Sequence, residues 1–71
     1  MTVSELKIEL FERDVPHYCY NIGGYEDGRV CMTEENGKWL VFYCEDGEQL
    51  ELTAHESEAE ACEDMLKRLT E

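Results

Sequence analysis

The chain has 71 residues, with 18 acidic and 6 basic side chains, and its formal net charge at pH 7 is −12. This length suffices for one small domain over residues 1–71 and leaves little room for a deep substrate cleft. So strong a negative charge repels nucleic acids and anionic membranes and attracts basic protein surfaces. Composition therefore excludes nucleic-acid and membrane binding, although the charge could also serve only to keep a small protein soluble.

The first predicted element is a helix that begins after Thr2. Thr2 and Glu5 have the spacing of a capping box. Apolar residues follow at helical spacing, in a stripe formed by Val3, Leu6 and Leu10 and widened by Ile8, Phe11 and Val15. Pro16 ends the helix, because it disfavours helical geometry at the preceding residue and cannot donate a backbone hydrogen bond.

The segment from His17 to Ile22 is aromatic and alternating, which predicts a short first strand. A looser connection, residues 23–28, leads from it to the next strand. The first 14 residues carry charges every few positions, unlike a signal peptide, and no apolar run approaches the length of a membrane span. We therefore expect the protein to act in a reducing cytosol.

The strongest local signal is the segment from Lys38 to Glu45, which lies between an Asn36-Gly37 pair and an Asp46-Gly47 pair. Both pairs favour the two-residue type I′ turn of a β-hairpin. A strand between two such turns is the centre of an antiparallel meander, and each turn fixes a register. The expected partners are Met32 with Val41, Val30 with Tyr43, Tyr43 with Leu50, and Val41 with Leu52.

This register predicts two different faces, because side chains alternate along a strand. The first, named here the Val41 face, is apolar and is expected to carry Val30, Met32, Trp39, Val41, Tyr43, Leu50 and Leu52. The second, named the Phe42 face, is mixed and is expected to carry Cys31, Thr33, Leu40, Phe42, Cys44, Gln49, Glu51 and Thr53.

The last predicted element is a helix that begins after Ser57, which forms a second capping box with Glu60. Acidic residues in its first half and Lys67 and Arg68 in its last turn suit the helix dipole. Its apolar stripe consists of Ala59, Cys62, Met65, Leu66 and Leu69. The predicted fold is α+β: a helix, a four-stranded antiparallel meander and a helix, with both helices on the Val41 face.

Candidate reaction chemistry is sparse. The chain has neither a Cys-x-x-Cys nor a His-x-x-x-His spacing, so no metal or other cofactor is expected. Carboxylate pairs lie beside turns, where solvation explains them, and no catalytic residue is assigned. The four cysteines are expected to be free thiols, since Cys31 and Cys44 are only diagonal neighbours. An enzyme with Cys19, Cys31 or Cys44 as its nucleophile is one alternative.

Most of the chain resembles small immunity proteins of bacterial polymorphic-toxin and contact-dependent inhibition systems. The resemblance lies in the segments VCMTEE, NGKWLVFYCEDG and SEAEACEDMLKRL, and in a first helix that ends in Val15-Pro16. Those families commonly show a W-x-V-x-Y strand, a turn that ends in glycine and a last helix of the form S-E-x-E-A-C. The chain departs from them in its acidity and in Asp46, where a basic residue is expected. The resemblance implies a cytoplasmic inhibitor that binds one cognate toxin domain and has no catalytic activity.

The Phe42 face is the expected partner-binding surface. Leu40 and Phe42 lie in the middle of a strand, where exposed apolar side chains are costly unless something shields them. A rim of acidic residues would meet basic groups of the partner: Glu34, Glu35, Glu45, Asp46, Glu48 and Glu51. Two alternatives remain open. The first strand and long neighbouring side chains could cover the apolar pair, or the face could pair with a second copy in a self-associating structural or regulatory module.

Overall fold

A computed structural model describes residues 1–71 as two helices and a four-stranded mixed sheet, an α+β fold. The elements are α1 (Val3–Glu12), β1 (Tyr20–Ile22), β2 (Arg29–Glu35), β3 (Lys38–Glu45), β4 (Glu48–His55) and α2 (Glu58–Thr70). The strand order in the sheet is β1-β2-β3-β4. Neither helix combines the length and the apolar character needed to cross a lipid bilayer.

Both helices begin where the sequence predicts. The Thr2 hydroxyl accepts a hydrogen bond from the Glu5 backbone N–H at 3.2 Å, and the Glu5 carboxylate accepts one from the Thr2 N–H at 2.8 Å. At the start of α2, the Ser57 hydroxyl accepts from the Glu60 N–H at 3.2 Å. These bonds satisfy amide donors that have no partner within the helix.

The antiparallel pairing of β2 with β3 is confirmed in every predicted pair. It runs from Glu35 opposite Lys38 to Arg29 opposite Cys44. Asn36 and Gly37 have φ values of 52° and 80°, which are both positive, as a type I′ turn requires.

The prediction of a fully antiparallel sheet was wrong at its first strand. Residues His17–Cys19 form a 3₁₀ turn, and β1 pairs with β2 in parallel, with Tyr20 beside Val30. A connection between parallel strands has to cross one face of the sheet. Since β1 and β2 pair over only three residues, the chain has to travel back about 10 Å from the end of β1 to the start of β2. Residues 23–28 are long enough to span this distance. These residues, named here the face loop, cross the Phe42 face.

The second predicted turn sets the start of β4 correctly, and a β-bulge then changes the register. Tyr43 pairs with Leu50 as expected, whereas Val41 pairs with Thr53 instead of Leu52. Glu51 takes a positive φ of 54° within the irregularity. As a result Thr53 lies on the Val41 face and Leu52 on the Phe42 face, the reverse of the prediction.

The sheet separates two buried clusters. The large core contains buried residues of both helices and of strands β2 and β3: Leu6, Leu10, Met32, Val41, Ala61, Cys62, Met65 and Leu66. The small core lies on the Phe42 face and contains Cys31, Phe42 and Cys44, with Leu40 partly buried against it. The apolar stripe of α1 is narrower than predicted, since Ile8 and Phe11 are 59% and 81% exposed.

Candidate functional site

The centre of the Phe42 face is covered by Tyr25 of the face loop. Its ring lies over Phe42, with 5.0 Å between the ring centroids and 46° between the ring planes. The Tyr25 hydroxyl accepts a hydrogen bond from the Gln49 side chain at 2.9 Å and lies 3.5 Å from a Glu35 carboxylate oxygen. Phe42 has no exposed surface, whereas Tyr25 is 51% exposed. A protein that approaches this face therefore meets Tyr25 first.

Asp27 attaches the other end of the face loop to the sheet. One of its carboxylate oxygens accepts from the Cys44 thiol at 3.3 Å and from the Gly47 N–H at 3.2 Å. The neighbouring Gly28 N–H donates to the Cys44 carbonyl at 2.7 Å. The loop is thus held against the turn that joins β3 to β4.

The two thiols beneath the loop are held in their neutral form. Burial raises the pKa of Cys31, and burial followed by the hydrogen bond to Asp27 raises the pKa of Cys44. Since the thiolate is the nucleophilic species, these surroundings disfavour either thiol as a nucleophile at neutral pH. All four cysteines of the chain are free, and Cys19 is the one that is not buried.

The six acidic residues of the predicted rim do not form one ring. Glu34 and Glu35 lie at one end of β3, while Glu45, Asp46 and Glu48 lie at the other, about 23 Å away along an eight-residue strand. Glu51 lies between them in the bulge. By strand alternation, Glu35 projects on the Phe42 face, where its carboxylate approaches Tyr25.

One end of the sheet is more acidic than the sequence reasoning indicated. The face loop brings two further carboxylates to the turn between β3 and β4, which creates a group named here the acidic end: Glu26, Asp27, Glu45, Asp46 and Glu48. Arg29 is the basic residue beside it, and its guanidinium lies 3.5 Å from Glu26. The antiparallel prediction for β1 gave no reason to place the loop here.

Known proteins provide no assignment for this surface. No protein-family model, curated protein or solved structure matches the chain. Function is therefore inferred from the side chains of the Phe42 face and the acidic end.

A polar network joins α2 to β4 on the opposite side of the sheet. The Asp64 carboxylate lies 2.7 Å from His55 Nε2 and accepts from Arg68 Nε at 2.9 Å. Arg68 Nη2 also donates to the Glu51 carbonyl at 2.8 Å and to the Thr53 hydroxyl at 3.0 Å. Arg68 thus holds both sides of the bulge. The network therefore contacts the bulge that places Leu52 on the Phe42 face.

The same contacts favour the ionised form of the Asp64 carboxyl. Burial raises the pKa of its carboxyl, but the hydrogen bonds from His55 and Arg68 outweigh burial, and the pKa is lowered overall. A depressed folded-state pKa stabilises the fold above the unfolded-state pKa, and this stabilisation is lost as pH falls through the folded-state pKa.

We therefore expect Asp64→Asn to destabilise the protein at pH 5, and the difference from the unsubstituted protein to shrink as pH falls below about 4. Urea unfolding of both proteins from pH 5 to pH 2 measures this difference. The comparison cancels the effect of protonating the other carboxylates, which both proteins share. A difference that stays constant down to pH 2 would contradict a depressed Asp64 pKa.

Proposed function

We propose that this chain is a cytoplasmic inhibitor of the small immunity-protein type, which binds a basic, nuclease-like toxin domain through the Phe42 face and the acidic end. One observation carries the proposal: Tyr25 and Leu52 are both exposed on this face, and Tyr25 accepts a hydrogen bond from Gln49, which adjoins Glu48 of the acidic end. An apolar centre beside a polar rim is the usual anatomy of a protein interface. Tyrosine is also among the residues that most often anchor one.

In this interface Tyr25 and Leu52 take the role that the sequence suggested for Phe42. Phe42 supports Tyr25 from below, since its ring packs under the Tyr25 ring without exposed surface. Leu40 is partly buried and lies at the border of the contact. Of the predicted rim, Glu45, Asp46 and Glu48 meet the partner together with the loop carboxylates, and Glu35 and Glu51 lie nearer the apolar centre.

The net charge of −12 supports a basic partner over a second copy of the chain. Two copies that met through their Phe42 faces would each bring a net charge of −12 to the contact, and like charges oppose such an association. A homodimer through this face is therefore the less favoured alternative. Sedimentation velocity at physiological salt detects it directly.

Reversal of charge at the acidic end is expected to slow association with a basic partner. The double variant Glu45→Lys/Asp46→Lys should lower the association rate constant about tenfold at low salt and change dissociation little, since charges at a rim act mainly on encounter. The partner is first captured from the native host with the unsubstituted protein at low and moderate salt. Stopped-flow kinetics with the captured domain then measure both rate constants.

The matched control is Glu12→Lys/Glu63→Lys, which changes the net charge equally at two exposed helical positions away from the Phe42 face. It should slow association much less than the reversal at the acidic end. Equal effects of the two double variants would mean that only net charge matters and that the binding surface lies elsewhere. Recovery of nothing but a second copy of the chain would favour the self-associating module.

A further inference from the structure

The small core depends on the face loop for its cover. Its three residues, Cys31, Phe42 and Cys44, share no member with the large core on the other side of the sheet. Both helices contribute their buried residues to the large core. The two cores are thus separate in space, and removal of the loop from the Phe42 face leaves the packing within the large core intact.

The loop itself is held by few bonds. Gly23 N–H donates to the Met32 carbonyl and Gly28 N–H to the Cys44 carbonyl, both at 2.7 Å, but no residue between them makes a backbone–backbone hydrogen bond. The remaining attachments are the side chains of Tyr25 and Asp27, the partly exposed ion pair of Glu26 with Arg29 at 3.5 Å, and weak thiol bonds, such as that from Cys31 to the Glu26 carbonyl at 3.6 Å.

Both ends of the loop can change direction without steric cost. Gly23 and Gly28 have φ values of 101° and 80°. Glycine accepts this region and most others about equally well, which makes it suitable for a hinge. Open space surrounds both α-carbons where a side chain would begin.

From these observations we infer that the face loop opens as a unit while the helices and the sheet stay folded, and that the open state exposes Phe42 and the thiols of Cys31 and Cys44. Proteins commonly open in such local units, at a lower free-energy cost than global unfolding. The opening converts two inert buried thiols into sites that an electrophile can modify. This inference holds for the free protein and does not depend on the proposed function.

The four free cysteines supply the test, because two of them lie under the loop and Cys62 lies in the large core. The folded protein is alkylated with iodoacetamide, in which the thiolate sulfur displaces iodide, at a reagent concentration low enough for opening to remain at equilibrium. Peptide mass spectrometry follows each thiol separately. We expect Cys31 and Cys44 to react at least about tenfold faster than Cys62. Their reaction rates should also depend less on added urea than the rate of Cys62 does.

Two variants separate local opening from global unfolding. Leu69→Ala trims a partly buried side chain that packs on the large core, which remains formed in the open state. It should accelerate Cys62 about tenfold and leave Cys31 and Cys44 unchanged. Tyr25→Ala removes the ring that covers Phe42. The packing of this ring is lost both in the open state and in the unfolded state, so its removal lowers the free-energy cost of reaching either one. The variant should therefore accelerate the reaction of all three thiols by a similar factor, about tenfold.

Tyr18→Ala is the matched control, since Tyr18 is 64% exposed and lies outside the loop; it should change none of the three rates by more than about twofold. The inference is overturned if the three thiols react at one rate with one dependence on urea. It is equally overturned if Leu69→Ala accelerates Cys31 and Cys44 as much as Cys62, because the loop would then open only when the whole protein unfolds.

Discussion

Phe42→Ala is expected to destabilise the protein by about 3–5 kcal/mol, the usual cost of removing a fully buried phenylalanine side chain. Phe42 is the largest fully buried side chain in the chain and fills the small core between two cysteines and the Tyr25 ring. A domain of this length has a total stability of about 4–11 kcal/mol. One substitution would therefore remove a large part of it, as urea unfolding followed by circular dichroism should show.

Phe11→Ala is the matched control, because it removes the same side chain from a site that is 81% exposed. It should change the free energy of unfolding by no more than about 0.5 kcal/mol. If both variants lose similar amounts, Phe42 does not lie in a closed core. Phe42→Ala is therefore unsuitable for binding experiments, because a loss of binding would reflect partial unfolding of the protein. Tyr25→Ala and Leu52→Ala, which change exposed side chains, are the variants that test the proposed interface.

The pairing of β2 with β3 could be predicted because its cause is local. Asn36 and Gly37 adopt two consecutive positive φ angles that few other residue pairs accept as readily. Once that turn is fixed, alternation assigns every side chain of both strands to a face. The placement of Val41 beside Met32 and of Phe42 beside Cys31, on which both cores depend, follows from this turn together with alternation.

The direction of β1 has no comparable local cause. Tyr20 and Ile22 project on the Val41 face, where they pack against the large core, and the same alternation would serve a parallel or an antiparallel strand equally well. The choice decides where the face loop runs. Because the sequence pattern did not determine the direction of β1, it could not predict the position of Tyr25 over Phe42 or the contribution of Glu26 and Asp27 to the acidic end.

The bulge in β4 also has no local cause in the sequence pattern. Glu51 is not a residue that favours positive φ, and alternation of Leu50 and Leu52 supports the simpler register that the sequence predicts. Arg68, 17 residues away, holds the Glu51 carbonyl in the observed position. Interactions of this kind between distant residues override local pattern, and so the face occupied by Leu52 was predicted incorrectly.

Arg68→Ala is expected to destabilise the protein by about 2 kcal/mol, because hydrogen bonds to charged groups in a partly buried site contribute more than exposed ones. The substitution removes the donors to Asp64, the Glu51 carbonyl and the Thr53 hydroxyl together. Arg13→Ala is the control: Arg13 also pairs with an acidic residue four positions earlier, but its side chain is 50% exposed. Pairs of that kind contribute about 0.5 kcal/mol or less.

A second measurement shows whether Arg68 holds the bulge or only attaches α2 to β4. Without Arg68, the hydrogen bond that offsets the strain of the positive φ of Glu51 is lost. We therefore expect a fraction of the molecules to adopt the regular register of β4, in which Leu52 pairs with Val41. Cross-strand nuclear Overhauser effects from Val41 should then shift in part from Thr53 to Leu52. Destabilisation without such a shift would limit the role of Arg68 to attachment. With the shift, a substitution in α2 would remove Leu52 from the Phe42 face and thereby weaken the proposed interface from the opposite side of the sheet.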